Sequence, residues 1–267
     1  MKSLLHVICD YAPGDMAWAE VMSAVHAQIP GEWATHQTSV GSFDTISTGF
    51  VVAQLALAES TMRPPKLVLF ANCAPRKDLT KARTNNEGEG LLYAALNNDV
   101  DVLIVNSGYS MSFLKNEIKK LWSVKVDAGG SQFRSRDNFP RVLGQLVSGD
   151  NSFMWHELNA GECIPDAPID AVAYIDSFGN QKTTIRDGDP RLKQLAPGQR
   201  IKVIINGVTR TATVATGSFS VMEGDLAFAP GSSGHTLRYW EFFQRGGSAS
   251  AEFDRPHVGE KIQLILD

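Results

Sequence analysis

Two aspartates near the amino terminus, Asp10 and Asp15, close a short apolar run and frame the turn Tyr11-Ala12-Pro13-Gly14. A carboxylate at the carboxyl end of a first parallel strand stands where open α/β sheets take ligands, and it can accept both hydroxyls of a ribose. The same residues also suit a plainer role, with Asp10 ending the strand and Asp15 capping the next helix. No G-x-G-x-x-G follows the strand, so this is not a dinucleotide fingerprint. Cys73 follows an apolar run but has neither a neighbouring histidine nor a C-x-x-C partner, and reads as an inert thiol rather than a nucleophile. Arg76, Lys77, Lys81 and Arg83 suit an anion or form a solvated loop. His6, His26, His36, His156, His235 and His257 are dispersed with no metal-ligand spacing, so no metal site is expected.

Three further segments could hold a ligand. Gln132 to Asp137 opens a helix after Gly129-Gly130, where free N–H groups face an anion; Ser135 or Asp137 could equally cap that helix. Asp176-Ser177-Phe178-Gly179-Asn180 reads as a corner between strands, with a Phe to stack on a base and an Asn to bond its edge, or as a structural turn. Arg245-Gly246-Gly247-Ser248-Ala249-Ser250 allows close backbone approach, or makes a bend.

The elements that must position these residues fall into two groups. Strands are predicted at 3–9, 33–38, 66–71 and 100–105, and helices at 16–29, 43–58, 89–97, 110–120 and 136–147. This alternation predicts an N-terminal α/β domain with a mostly parallel sheet over 1–155. The stretch 148–168, rich in Gly, Asp, Asn and Pro, reads as the boundary. Short β-type runs at 171–175, 182–185, 201–205, 209–214, 226–228, 237–243 and 261–266 follow. With Asn206-Gly207 as a hairpin turn, they predict a smaller C-terminal antiparallel β-barrel-like domain over 165–267.

Composition bounds the function class. The 267 residues are 43% hydrophobic and 20% charged, with a formal net charge of −4. These are values of a soluble globular chain without a nucleic-acid footprint. No apolar run is long enough to span a bilayer. Three scattered cysteines fit neither a disulfide framework nor zinc, and with no signal-peptide pattern a cytoplasmic location is expected.

Taken in order, the segments resemble the S-adenosyl-L-methionine (SAM) hydroxide adenosyltransferases, or SAM hydrolases, and the related SAM-dependent fluorinases and chlorinases. Asp10 to Asp15 is similar to that family's D-[FL]-G-x-x-D opening, and Val40-Gly41-Ser42-Phe43-Asp44 to its segment with an aromatic before Asp. Gln132 to Asp137 resembles T-F-[HY]-[GS]-R-[DE], and Asp176 to Asn180 resembles D-x-F-G-N. Glu223-Gly224-Asp225 with Ser232-Ser233-Gly234 is similar to E-G-[EN] and N-S-x-G, and Arg245 to Ala251 to N-x-G-S-A-A. The likeness runs through almost the whole chain.

The resemblance implies a homotrimer whose ligand lies between the N-domain of one subunit and the C-domain of its neighbour. It implies SAM as substrate, no cofactor, and in-line attack at C5′ by water, hydroxide or halide. By matching position, Asp15 would hold the ribose hydroxyls and Phe43 would line the ribose and sulfonium. Phe133 and Ser135 would face C5′, with Arg134 beside them in the catalytic segment. Phe178 and Phe219 would stack on adenine and Asn180 bond its edge. Ser233, Arg245 and Gly247 would lie at the methionine end.

The chain departs from the hydrolase pattern in its water-handling set. Ala74 stands where Asp precedes Pro, Arg76-Lys77-Asp78-Leu79 replaces a Gly-rich loop, and Arg134 stands where the hydrolases carry His. An arginine is permanently charged and cannot serve as a neutral base. Asn-Gly-Leu-Leu survives only as Glu89-Gly90-Leu91-Leu92, and Asp78 and Arg83 are candidate substitutes. Ser135 matches a place where halogenases carry Ser, without the rest of their halide pocket. A catalytically silent SAM or adenosine binder is therefore the alternative to an enzyme.

Overall fold

The structure, a computed structural model, describes residues 3–58, 64, 66–74, 90–127 and 129–266. The basic cluster Arg76–Arg83, with Asp78, Pro75 and Glu89, lies outside the described residues. The chain divides into two compact units, Met1–Asp166 and Ala167–Asp267.

The first unit begins with strand β1 (Ser3–Cys9), buried from Val7 onward. Asp15 caps helix α1 (Met16–Gln28), accepting a hydrogen bond from Ala17 N. Trp18, Val21, Met22 and Val25 recur at the helical period and form its buried face. Strand β2 (Trp33–Ser39) precedes helix α2 (Thr45–Ala56), whose cap is Asp44. Strands β3 (Leu67–Asn72), β4 (Leu91–Leu96) and β5 (Asp101–Val105) follow. After a 3-10 turn at Ser112–Glu117 come β6 (Ile118–Val124), α3 (Arg134–Asp137), α4 (Phe139–Ser148), β7 (Met154–Leu158) and α5 (Ala160–Cys163).

The sheet runs β2-β1-β3-β5-β4-β6-β7. Pairs β1–β2, β1–β3 and β3–β5 are parallel, while β4–β5, β4–β6 and β6–β7 are antiparallel. One face packs on α1 and α4 through Leu5, Val7, Phe70 and Leu103; the other packs beneath α2 through Ile8, Leu69, Ala71 and Ile104. Cover on both faces explains why all six residues of β3 are buried. Helices α1 and α4 meet closely at Gly144, where a Cβ would come within 2.7 Å of Gln28 O.

Two expectations are corrected here. Residues 91–96, read as helix, form β4, and residues 118–120, read as the end of a helix, begin β6. Leu91, Leu92, Tyr93 and Ala94 are buried in succession, as in a strand covered on both faces. Tyr93 stacks on Trp122 of β6, with ring centres 5.5 Å apart. The stretch 148–168, read as the boundary, holds β7 and α5.

The second unit consists of β8 (Val172–Ile175), β9 (Gln181–Arg186), a 3-10 turn at Pro190–Gln194, β10 (Arg200–Ile205), β11 (Val208–Val214), β12 (Leu226–Pro230), β13 (Tyr239–Gln244), α6 (Ala249–Glu252) and β14 (Ile262–Ile265). Asn206 and Gly207, with φ of 53° and 71°, make the β10–β11 hairpin turn. The order is β14-β10-β11-β12-β13-β9-β8, antiparallel except for β11–β12. The two end strands meet where Ala171 bridges Lys261. Val172 N also donates to Glu260 O, and Ile262 N donates to Asp170 O at 2.7 Å. The sheet thus curls into a barrel-like form around Phe228, Phe242 and Phe253. The fold is α/β, with a barrel-like second unit.

Candidate functional site

Asp10 ends β1 as a 6% exposed carboxylate, and it organises three loops at the carboxyl edge of the parallel strands. Its Oδ2 accepts the backbone N–H groups of Phe43 and Ala74, each at 3.0 Å. Its Oδ1 is buried without a hydrogen-bond partner among the described residues. Phe43 takes a left-handed φ of 61°, an uncommon conformation for an aromatic residue, and its N–H bond to Asp10 helps to sustain it. Burial lifts the Asp44 carboxyl above its usual range, partly offset by hydrogen bonds from Ser47.

Tyr11 joins this edge to α3. Its hydroxyl lies 2.7 Å from Ser135 Oγ and accepts a hydrogen bond from Asn72 Nδ2 at 2.9 Å. Its ring meets Trp18 and Phe133 edge-on, and Trp18 Nε1 donates to Tyr11 O and to Ser39 Oγ. Burial, then the nearby Cys9 thiol, raises the Tyr11 phenol well above its normal range, so it stays protonated at neutral pH. Helix α3 is anchored to α1 by Arg136, whose guanidinium bonds Glu20 at 2.8 Å and Asp137 at 2.6 Å and lies over the Phe133 ring. Arg136, with Ser131, holds the exposed Asp137 carboxyl well below the carboxylate range.

Asp15 is exposed and lines an open hollow of about 800 Å³ with Pro13, Trp18, His36, Thr38 and Ser39. Its Oδ1 is committed to the Ala17 N–H, while Oδ2 carries no hydrogen bond among the described residues. The first unit therefore brings Phe43, Phe133 and Ser135 onto one edge with Asp10 and Tyr11. Arg134 diverges from its neighbour Ser135. It is half-buried against the Phe139 ring, 5.1 Å from the ring centre, and lines a second hollow of about 420 Å³ with Lys125 and Trp155. Burial draws its guanidinium below the usual arginine range.

Cys9 and Cys73 are buried free thiols and Cys163 is exposed. Burial, reinforced by Asp10, pushes the Cys73 thiol up to about 12, so it carries no thiolate at neutral pH. Among the described residues no three His, Cys, Asp or Glu side chains gather as a metal site. No helix among them is long and apolar enough to cross a membrane.

In the second unit the Asp176 carboxylate builds the corner. Its Oδ1 accepts the N–H groups of Phe178 and Asn180, and its Oδ2 accepts Asn180 Nδ2, all at 3.0 Å. The corner docks on the start of α6. Ser250 N donates to Gly179 O at 2.8 Å, and a Cβ on Gly179, whose φ is 80°, would fall 2.0 Å from Ser248 Oγ. Phe178 is left 76% exposed. A second grouping pairs the loop at 221–225 with the turn at 244–247. Gly224 N donates to Arg245 O, and Arg245 N donates to Asp225 O. Arg245 bonds Val221 O at 2.7 Å and lies over Phe219, itself 89% exposed. Gly247 sits against the Gln244 side chain, and Ser233 is buried with its carbonyl accepting from Tyr239 N.

Sequence reasoning missed Asn72 and the hydroxyl role of Tyr11. The available signal was a polar Asn closing the otherwise apolar β3 at its carboxyl end.

No protein-family model and no curated protein matches this sequence. Among the solved structures that match, two are similar along their whole length. An uncharacterized conserved protein from Thermotoga maritima shares 17% identity at a TM-score of 0.77, covering 98% of this chain and 100% of its own. A conserved hypothetical protein from Thermus thermophilus shares 16% identity at 0.68, covering 99% of this chain and 100% of its own. At such identity the likeness establishes a shared fold.

Proposed function

We propose that this chain binds SAM and displaces methionine at C5′ with water or hydroxide, giving adenosine and methionine. The observation that carries the reading is the gathering of Asp10, Tyr11, Phe43, Phe133 and Ser135 at the carboxyl edge of the parallel strands. These are the motif residues of the resemblance, and they come from segments far apart in sequence. In this reading Asp15 offers its free carboxylate oxygen to the ribose, and the Phe178–Asn180 corner takes the adenine, in a homotrimer. Ser233, Arg245 and Gly247 serve the methionine end.

The reaction asks little of a side chain. An O–C5′ bond forms as the C5′–S bond breaks, the sulfonium charge is discharged, and methionine leaves as a neutral thioether while water gives up a proton. Ser135 and Tyr11 can orient the nucleophile through hydroxyl hydrogen bonds, and alignment of this kind contributes about 7–11 kcal/mol in favourable cases. Excluding water around an anionic nucleophile would add to it.

A second reading is a catalytically silent SAM or adenosine binder. Arg134 favours it, because the residue at the hydrolase His place lines a different hollow from the one beside Asp15. Incubation with SAM, with chromatographic detection of adenosine and methionine alongside calorimetry, separates the readings. Product supports the enzyme, and binding without product supports the silent binder. Absence of binding overturns both. Formation of a 5′-halo nucleoside on adding chloride or fluoride would instead assign a halogenase.

A further inference from the structure

We propose that Asp176, held in place by Lys182, locks the Asn180 amide in one orientation and thereby makes this corner select 6-aminopurines over 6-oxopurines. The inference rests on the nucleoside reading above and adds a specificity determinant to it.

A primary amide can present either its oxygen or its nitrogen to a ligand, and the two faces are interchanged by a half-turn of the side chain. At Asn180 that freedom is removed. An ionised carboxylate has acceptors only, so the group facing Asp176 Oδ2 at 3.0 Å must be the Asn180 N–H. The half-turned amide would set oxygen against oxygen there. Asp176 cannot swing aside, because its other oxygen is fixed by the backbone N–H groups of Phe178 and Asn180. Lys182 Nζ stands 3.9 Å from Asp176 Oδ2 and 2.5 Å from Glu241 Oε2, with all three side chains less than a quarter exposed. The two carboxylates fix the lysine between them.

With its nitrogen committed to Asp176, Asn180 keeps Oδ1 without a hydrogen bond among the described residues, as an acceptor for a ligand donor. The amine at purine position 6 is such a donor. A 6-oxo group is an acceptor and would meet Oδ1 as a second lone pair. Asp176 and Lys182 are thus positioning residues that act through Asn180, and the property they set is a ratio of affinities rather than folding alone.

The test is calorimetric titration of the full chain with adenosine and with inosine, repeated on Asp176→Asn. The unmodified chain should bind adenosine at least tenfold more tightly than inosine. In Asp176→Asn the amide oxygen stays with the backbone N–H groups of Phe178 and Asn180, so the group facing Asn180 becomes an N–H donor, the half-turn of Asn180 is favoured and the ratio should fall at least threefold. A merely structural defect weakens both nucleosides equally and leaves the ratio in place, which would overturn the proposal. Equal binding of the two nucleosides by the unmodified chain would overturn it while sparing the nucleoside reading, and needs no variant to fold. Binding of neither would overturn both.

Discussion

Tyr11 and Ser135 lie 124 positions apart in sequence and share a hydroxyl–hydroxyl hydrogen bond of 2.7 Å. The bond ties the first loop of the sheet to α3, and Asn72 adds the end of β3 through the same phenol oxygen. Replacing Tyr11 by Phe keeps the ring packing and removes the shared oxygen. Losing these part-buried bonds should cost about 1–3 kcal/mol, read from the urea unfolding midpoint. An unchanged midpoint would mean that water substitutes for the phenol.

Asp10 should matter more for stability than its position at a strand end suggests. Asp10→Ala leaves the N–H groups of Phe43 and Ala74 without their acceptor. Unpaired buried donors cost about 1–3 kcal/mol each, so a loss of roughly 2–5 kcal/mol is expected by chemical denaturation. Asp10→Asn retains an acceptor oxygen and should lose less.

The two roles of Asp15 can be separated. Serine is a good helix cap without a charge, so Asp15→Ser should keep α1 within a few tenths of a kcal/mol while Asp15→Ala costs about 1 kcal/mol. Both variants should weaken adenosine binding at least tenfold, about 1.4 kcal/mol, by calorimetry. Full affinity in Asp15→Ser would reduce this residue to a cap.

His6 predicts how stability depends on pH. It pairs with His36 across β1 and β2, with ring centres 5.3 Å apart, and its Nδ1 is buried without a partner among the described residues. Burial first, then the His36 charge, holds its pKa below the ordinary 6.5. The unfolded chain therefore takes up this proton first as pH falls. The His6 contribution is fully present above pH 6.5 and is lost as pH drops from there towards its folded pKa. Replacing His6 by Leu should flatten the denaturation midpoint over about pH 5–7 relative to the unmodified chain. Equal slopes would assign the acid sensitivity to other groups.

Much of this architecture was legible because apolar runs ending in a polar residue announce parallel strands, as in β1 with Asp10 and β3 with Asn72. The Asn206-Gly207 turn and the alternation of Ile201, Val203 and Ile205 likewise announced β10 and its hairpin. β4 misled, because Leu91 to Leu96 is built of leucine and alanine, good helix formers, and burial on both faces erases the strand alternation. β6 misled because Lys119 and Lys120 imitate the basic last turn of a helix. In the candidate site, residue types pointed to Asp15, Phe133, Ser135 and Asn180. Which of them touch is a property of chain crossing, and nothing local in the sequence ties Tyr11 to Ser135 or turns Arg134 towards Trp155.

Ala171 bridges Lys261, so among the described residues the second unit's two end strands meet at one point of their margins. Among the described residues the first unit's sheet ends in β2 and β7, and β7 displays a solvent-facing Trp155. Outer strands of this kind are where backbone pairing with a foreign segment would extend a sheet.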